Sequence, residues 1–363
     1  MIEGETLLFD KEIIAVDNGV NLDNVEVIDA KGAYVSSGFI DLHIHGSGGA
    51  DVMDATPEAI ETLSQTLLQT GTTSFLATTM TMSQKDIEAA LENVRRVREH
   101  VKGAAVIGVH LEGPFINPAK HGAQDEQYVQ LPTMAWVDAY ADVIRMITLA
   151  PEVEGGMAFV KACRERHGNM ILSIGHSEAT YAQSMEAFDA GVSHVTHLFN
   201  AMPPYHHREP GIVGACFDSH TVTCDVIADL VHTHPHHLRL GHRMKAGALV
   251  LITDAMRAGC MKSGQYDLGG RKVDVSGGKA LLDDGTLAGS VLRMNEALRN
   301  MVQVTDMTLP EAVWSATWLP AKKLGIRKGE LTVGYDADMV IFDEDFSIIS
   351  TIVAGKVLYQ RSE

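Results

Sequence analysis

The stretch GFIDLHIHG, residues 38–46, decides how the rest of the chain is read. Phe39, Ile40, Leu42 and Ile44 leave neither face polar, as a strand buried on both sides requires. It closes on His43 and His45, whose spacing of two puts both imidazoles on one face. The same design returns seven times: TTSFLATTM (72–80), AAVIGVHLEG (104–113), RMITLAPE (145–152), MILSIGHS (170–177), VSHVTHLFN (192–200), TVTCDVIAD (221–229) and ALVLITDAM (248–256). Between the runs, PEAIETLSQTLLQTG (57–71), SQKDIEAALENVRRVREHV (83–101) and TYAQSMEAFDAG (180–191) have helical spacing. Two of these begin with a capping signal and two end at glycine. Eight strand–helix alternations over roughly 290 residues predict a (β/α)₈ barrel, an α/β fold of TIM type. A doubly wound open sheet is the competing arrangement, but it gives no reason for eight similar units.

The ends read differently. Residues 1–37 and 333–363 hold short β-like runs (EVIDA, DADMVIF, SIISTIVAGKVLYQ) broken by Gly and Asp turns. Neither could bury a core alone. They are expected to pair into one small β domain beside a barrel spanning 38–332.

Composition narrows the function. Of 363 residues, 29 are basic and 47 acidic, a net charge of −18 that argues against a nucleic-acid or anionic-membrane surface. No run approaches the ~20 apolar residues of a membrane helix. Glu3 and Glu5 stand where a secretory signal would carry basic residues. Cys163, Cys216, Cys224 and Cys260 form no CxxC pair, so neither a disulfide framework nor a thiolate metal site is expected, and a cytoplasmic location is. Histidine is the outlier: 17 in all, 12 of them from His167 to His242.

The chemistry gathers at the ends of the apolar runs. His43 and His45 close the first, His110 and Glu112 the third, His176 the fifth, His194 and His197 the sixth, and Asp254 the eighth. In a barrel these ends share one mouth, where active sites of the fold are built. A lone HxH is weak evidence, since either histidine could be a hydrogen-bonded core residue. With Glu112, His176, His197 and Asp254 at four further ends, the set suits a divalent ion such as zinc or iron and has ligands to spare for a second. His110 reads equally well as a packing residue, and His194 lies three before His197, so a strand would turn it away. The tract HTHPHH (232–237) opens a predicted helix and reads mostly as solvated surface, as do His206 and His207.

At these residues the sequence resembles a known family. HLEGPF (110–115), GHSEATY (175–181), THLFNAMPP (196–204), HREPG (207–211) and LITDAM (251–256), in this order, are similar to the N-acetylglucosamine-6-phosphate deacetylases of the amidohydrolase superfamily. The likeness runs from SSGFIDLHIHG to KGELTVGYDADMVIF, nearly the whole chain. It implies a β-sandwich made from both termini beside the barrel, a homodimer, and metal-dependent hydrolysis of N-acetylglucosamine 6-phosphate to glucosamine 6-phosphate and acetate. Carried over by position, Glu112, His176 and His197 are the core metal ligands and Asp254 the catalytic acid/base and a further ligand. His43 and His45 vary within the family; with both present, a two-metal site bridged by Glu112 is expected. Zinc is the first expectation for the one or two ions, with iron, manganese and cobalt as alternatives. The resemblance lines the substrate pocket with Ala123, Asn200, Ala201, Arg208, His232 and Ala288–Gly289–Ser290, some serving the neighbouring subunit. Arg208 would grip phosphate as a bidentate fork, against the rival reading of a salt bridge to Glu209 or another surface acid. His232 would hold the sugar or steady the oxyanion. Two features depart from the pattern: the segment before His43 is short, and Gln124 stands where some relatives have a substrate-contacting histidine. The polar segment 118–131 is expected to serve as a lid.

Three other functions compete. N-acetylgalactosamine 6-phosphate differs by one epimeric hydroxyl. A cyclic amidohydrolase resembling dihydroorotase would need a carboxylated lysine in the fourth run, where RMITLAPE has none. A non-catalytic sugar-phosphate sensor should have lost a catalytic group, whereas Asp254 and the ligand set are intact.

Overall fold

The computed structural model describes residues 5–17, 19, 21 and 23–362. The parts of the expected terminal domain at 1–4, 18, 20, 22 and 363, Glu3 among them, lie outside the described residues. All eight apolar runs are strands: β1 (Phe39–Ile44), β2 (Thr72–Thr78), β3 (Ala105–Glu112), β4 (Ile144–Leu149), β5 (Ile171–Ile174), β6 (His194–Val195), β7 (Thr223–Ile227) and β8 (Leu249–Ile252). Each pairs in parallel with its neighbour in sequence. A parallel bridge between Ile44 and Ala255 closes β8 onto β1 and completes the barrel. Almost every strand residue is buried, because helices cover the outside while side chains fill the inside.

The three expected helices form as Pro57–Leu67, Gln84–Val97 and Tyr181–Asp189. Their starts are set by Thr56, Ser83 and Thr180, whose side chains accept the orphan amides of Ala59, Asp86 and Gln183. The first continues as a short 3₁₀ turn and stops at Gly71, where φ is +78°. A Cβ there would also sit 2.7 Å from the Phe39 ring and 2.9 Å from Val340, so glycine lets the terminal sheet press against the barrel.

That sheet joins the two ends of the chain. Its order is Lys356–Gln360, Ile348–Val353, Met339–Phe342, Tyr34–Ser37, all antiparallel. Alternation splits its faces: Val340, Phe342 and Ile348 join the barrel core, while Met339 and Ile352 meet Ile13 under the hairpin Leu7–Phe9/Ile13–Val16. The run EVIDA (26–30) is no strand. Val25, Val27 and Ile28 are exposed, and no neighbouring strand takes up their backbone.

One element was not expected. After β8, strands Gly264–Leu268, Arg271–Ser276 and Lys279–Leu282 form an antiparallel sheet with its own small core of Leu268, Val273, Val275, Ala280 and Leu282. Ala123, from the loop after β3, packs against that core, and its carbonyl accepts from Arg271 Nη1 at 3.4 Å.

Candidate metal centre and active site

The strand ends converge as the spacing predicts. β1 presents His43 and His45, and Glu112 ends β3. His176 and His197 each stand two residues beyond β5 and β6, as Asp254 does beyond β8. Glu112 is at the centre. Its Oε1 lies 3.3 Å from His43 Nε2, 3.2 Å from His176 Nε2 and 3.3 Å from His197 Nε2, and its Oε2 lies 3.3 Å from His45 Nε2. Asp254 Oδ1 is 3.5 Å from His43 Nε2 and 3.3 Å from His45 Nε2. Two groups therefore share Glu112: His43–His45–Glu112 and Glu112–His176–His197.

The donor chemistry fits a metal. His45 Nδ1 faces the Thr78 carbonyl at 3.3 Å and His176 Nδ1 the Lys120 carbonyl at 2.8 Å. A carbonyl can only accept, so each Nδ1 carries a proton, and Nε2 is the nitrogen that would offer its lone pair to an ion on giving up its own proton. His43 and His45 bring their Nε2 atoms to 3.3 Å, and His176 and His197 theirs to 3.2 Å. Tetrahedral zinc at ordinary bond lengths sets its donors about 3.3–3.4 Å apart. Electrostatics agree. Burial pushes the Glu112 carboxyl up, but the His43 charge and hydrogen bonds from His176, His197 and His43 hold it well below its usual range. Burial likewise opposes ionisation of Asp254, yet the His43 charge and the contacts with His45 bring it to about 2. His43 and His45 are raised against their own burial by those two carboxylates. Two ionised carboxylates among imidazole Nε2 atoms are a site built around positive charge, which protons on the rings or a divalent ion could supply.

The backbone is strained where the ligands sit. His176, His197 and Asp254 have φ of 48°, 34° and 49°, in the left-handed region that costs a non-glycine residue of order 1 kcal/mol. Each is braced. Asn117 N donates to the His176 carbonyl, Asp225 accepts the His197 amide, and Asp254 donates to His43 O while accepting from Ser290 N at 2.7 Å. The Asp225 carboxylate also takes His194 Nε2 at 3.0 Å, which accounts for His194 as a buried structural residue. His110 is another: its Nδ1 donates to Leu42 O at 3.1 Å and its Nε2 meets Thr148 Oγ1 at 2.7 Å. That hydroxyl continues to Thr196 and Ser173 as a polar chain inside the barrel. Asp41, two before His43, accepts from Thr253 Oγ1 at 2.5 Å and sews β1 to β8 beneath the site.

The other expected residues are placed as follows. Ala288 is buried, Gly289 has φ +61°, and Ser290 Oγ donates to Thr253 O at 2.6 Å, so this stretch braces Asp254 with its hydroxyl already committed. His232 belongs to the mouth, not to the solvated part of its tract. Its Nδ1 is 2.7 Å from Asp229 Oδ2, while His234, His236 and His237 are exposed. Asn200 N donates to His197 O, and Ala201 O accepts from Ser177 N. Arg208 is on an exposed loop with Nη1 2.7 Å from His207 Nε2, and among the described residues no carboxylate pairs with it, so the Glu209 salt bridge is not formed. Gln124 does more than replace a histidine. It is buried, and its Nε2 donates to Glu112 Oε2 at 2.6 Å.

The amidohydrolase family profile matches residues 34–358. The N-acetylglucosamine-6-phosphate deacetylase of Lysinibacillus sphaericus is 41% identical over 97% of this chain and 92% of its own length. The N-acetylgalactosamine-6-phosphate deacetylase of Escherichia coli O157:H7 is 35% identical over 92% and 90%. The crystal structure of N-acetylglucosamine-6-phosphate deacetylase from Pasteurella multocida superposes with a TM-score of 0.94 at 31% identity, covering 99% of this chain and 96% of that one. With the barrel, the strand-end ligands and this match over most of its length, the chain belongs to the amidohydrolase family.

Proposed function

We propose that this protein hydrolyses the acetamide of N-acetylglucosamine 6-phosphate, giving glucosamine 6-phosphate and acetate. The observation that carries the reading is Glu112 held among four inward-facing imidazoles with Asp254 on the same face of the cluster. Glu112, His176 and His197 would hold one ion, and His43 and His45 with Glu112 and Asp254 a second. A divalent ion, zinc first among the alternatives iron, manganese and cobalt, supplies Lewis acidity and makes water acidic enough to ionise near neutral pH.

The chain's own residues do the proton work. Asp254, held ionised, accepts the proton of the attacking water on its carboxylate. It returns that proton to the amine nitrogen, which cannot leave as an anion. His232, steadied by Asp229, offers a cationic donor to the acetamide oxygen or the sugar. Arg208, paired with no carboxylate among the described residues, is available to the phosphate, and Ala123, Asn200, Ala201 and Ala288–Gly289–Ser290 complete the pocket. The same reading makes residues 1–37 with 333–363 a β domain and 38–332 the catalytic barrel, and the protein a cytoplasmic homodimer.

The second reading, N-acetylgalactosamine 6-phosphate, has in its favour a relative of that name at 35% identity. Acetate release from both phosphorylated sugars and from unphosphorylated N-acetylglucosamine separates the two. Preferred turnover of the gluco epimer is expected. Preference for the galacto epimer would replace the substrate, and no acetate from any of the three would remove the reaction.

A further inference from the structure

We propose that Gln124 is a positioning residue of the metal centre, holding Glu112 so that one oxygen is presented to the ion. The inference rests on the metal assignment above but not on the substrate.

The amide is fixed at both ends. Thr81 N donates to Gln124 Oε1 at 2.6 Å, and a backbone N–H can only donate, so the oxygen must face Thr81. The NH₂ end is thereby turned toward Glu112, where it donates to Oε2 at 2.6 Å. The charge-assisted bond leaves Oε1 as the oxygen shared by His43, His176 and His197. Gln124 is only 3% exposed, and its own turn is locked by Gln124 N donating to His121 O and by His121 Nδ1 against Gln124 O, both at 2.9 Å. The same loop supplies the Lys120 carbonyl that orients His176. Segment 118–124 thus grips two ligands from outside. It is a brace on the metal centre.

A carboxylate freed from its partner can rotate, and a bound ion must then order it again. Loss of such an outer partner typically weakens metal binding about 10–100-fold. Gln124→Met keeps the length and burial of the side chain and deletes the donor. Gln124→Asn keeps the amide but is too short to reach both Thr81 and Glu112, and it provides the same reading should the methionine variant fold poorly. The measurement is zinc affinity of the metal-free proteins by competition with a chromophoric chelator, without sugar, followed by KM and kcat at limiting and saturating zinc. Expected are a zinc Kd raised about 10–100-fold in Gln124→Met and activity restored by excess zinc with KM little changed. Unchanged zinc affinity would overturn the role: with a raised KM it would make Gln124 a substrate contact, and with an unchanged KM a packing residue. A parent protein without zinc affinity would remove the metal assignment and this role together. Failure of acetate release alone would touch only the proposed substrate.

Discussion

Glu112 and Asp254 are two buried carboxylates with different neighbours, and the difference supports the separate roles proposed for them. Glu112 is enclosed by four imidazoles and the Gln124 amide, with every direction taken by a ligand or an anchor. Among the described residues the Asp254 carboxylate pairs with the His43 and His45 rings, and it keeps part of its surface at the opening. Asp254→Asn is therefore expected to retain bound metal near the parent level while kcat falls about 10²–10⁴-fold, the usual worth of general acid–base catalysis. Metal content by mass spectrometry beside steady-state kinetics checks it, and unchanged turnover would take Asp254 out of the mechanism. Arg208→Ala should raise KM for the phosphorylated sugar far more than for the unphosphorylated one, and equal effects would place the phosphate elsewhere. His232 gives the pH dependence. Burial disfavours its charged ring, but the Asp229 hydrogen bond and charge, with the Asp254 charge behind them, raise its pKa above the ordinary 6.5. The folded state thus binds this proton more tightly than the unfolded chain. Its stabilisation is complete below 6.5 and fades as pH rises through the raised value. Thermal unfolding of His232→Asn should show a deficit at pH 6 that shrinks by pH 9, and kcat/KM of the parent should fall along the same alkaline limb.

Residues at and just beyond the strand ends set the geometry, and three of them do so under strain. The left-handed turns at His176, His197 and Asp254 let a side chain leave the strand and swing across the mouth; backbone amides of Asn117 and Ser290 hold the first and last, and the Asp225 carboxylate accepts the amide of His197. Gly289 lies close beneath Asp254: with φ +61°, a Cβ would fall 3.1 Å from the Asp254 carbonyl. Gly289→Ala should cost about 1–2 kcal/mol of stability from its φ alone and lower kcat by displacing Asp254. Denaturant unfolding and kinetics together test this, and a neutral variant would show that the stretch does not support the acid/base. All eight barrel strands were legible because strands buried on both faces are written as apolar runs. The inserted sheet at 264–282 was also written, in Gly269–Gly270 and Gly277–Gly278 between alternating runs, a hairpin signal hidden by the eightfold rhythm. EVIDA shows the converse: β-branched residues make no strand without a neighbour to pair with.

At the scale of the whole molecule, residues spread from 43 to 254 reach one point because barrel closure puts every strand end at one rim. That convergence made the cluster of strand-end histidines and carboxylates readable from spacing. Its supports were not, since Gln124 on Glu112, Asp225 under His197 and Asp41 on Thr253 depend on side-chain reach across elements. A centre tied to six strand-end residues also couples metal to fold. Zinc at about a thousand times its Kd should add roughly 4 kcal/mol to stability, so the melting temperature should rise on loading and fall with chelator. The same melting temperature in both states would mean that the cluster holds no ion. The most direct test of the central claim is acetate release from N-acetylglucosamine 6-phosphate by the loaded, the chelated and the zinc-restored protein. The expected result is turnover that disappears with the metal and returns with it; turnover that persists after complete removal of metal would contradict a reaction built on Glu112 and its four histidines.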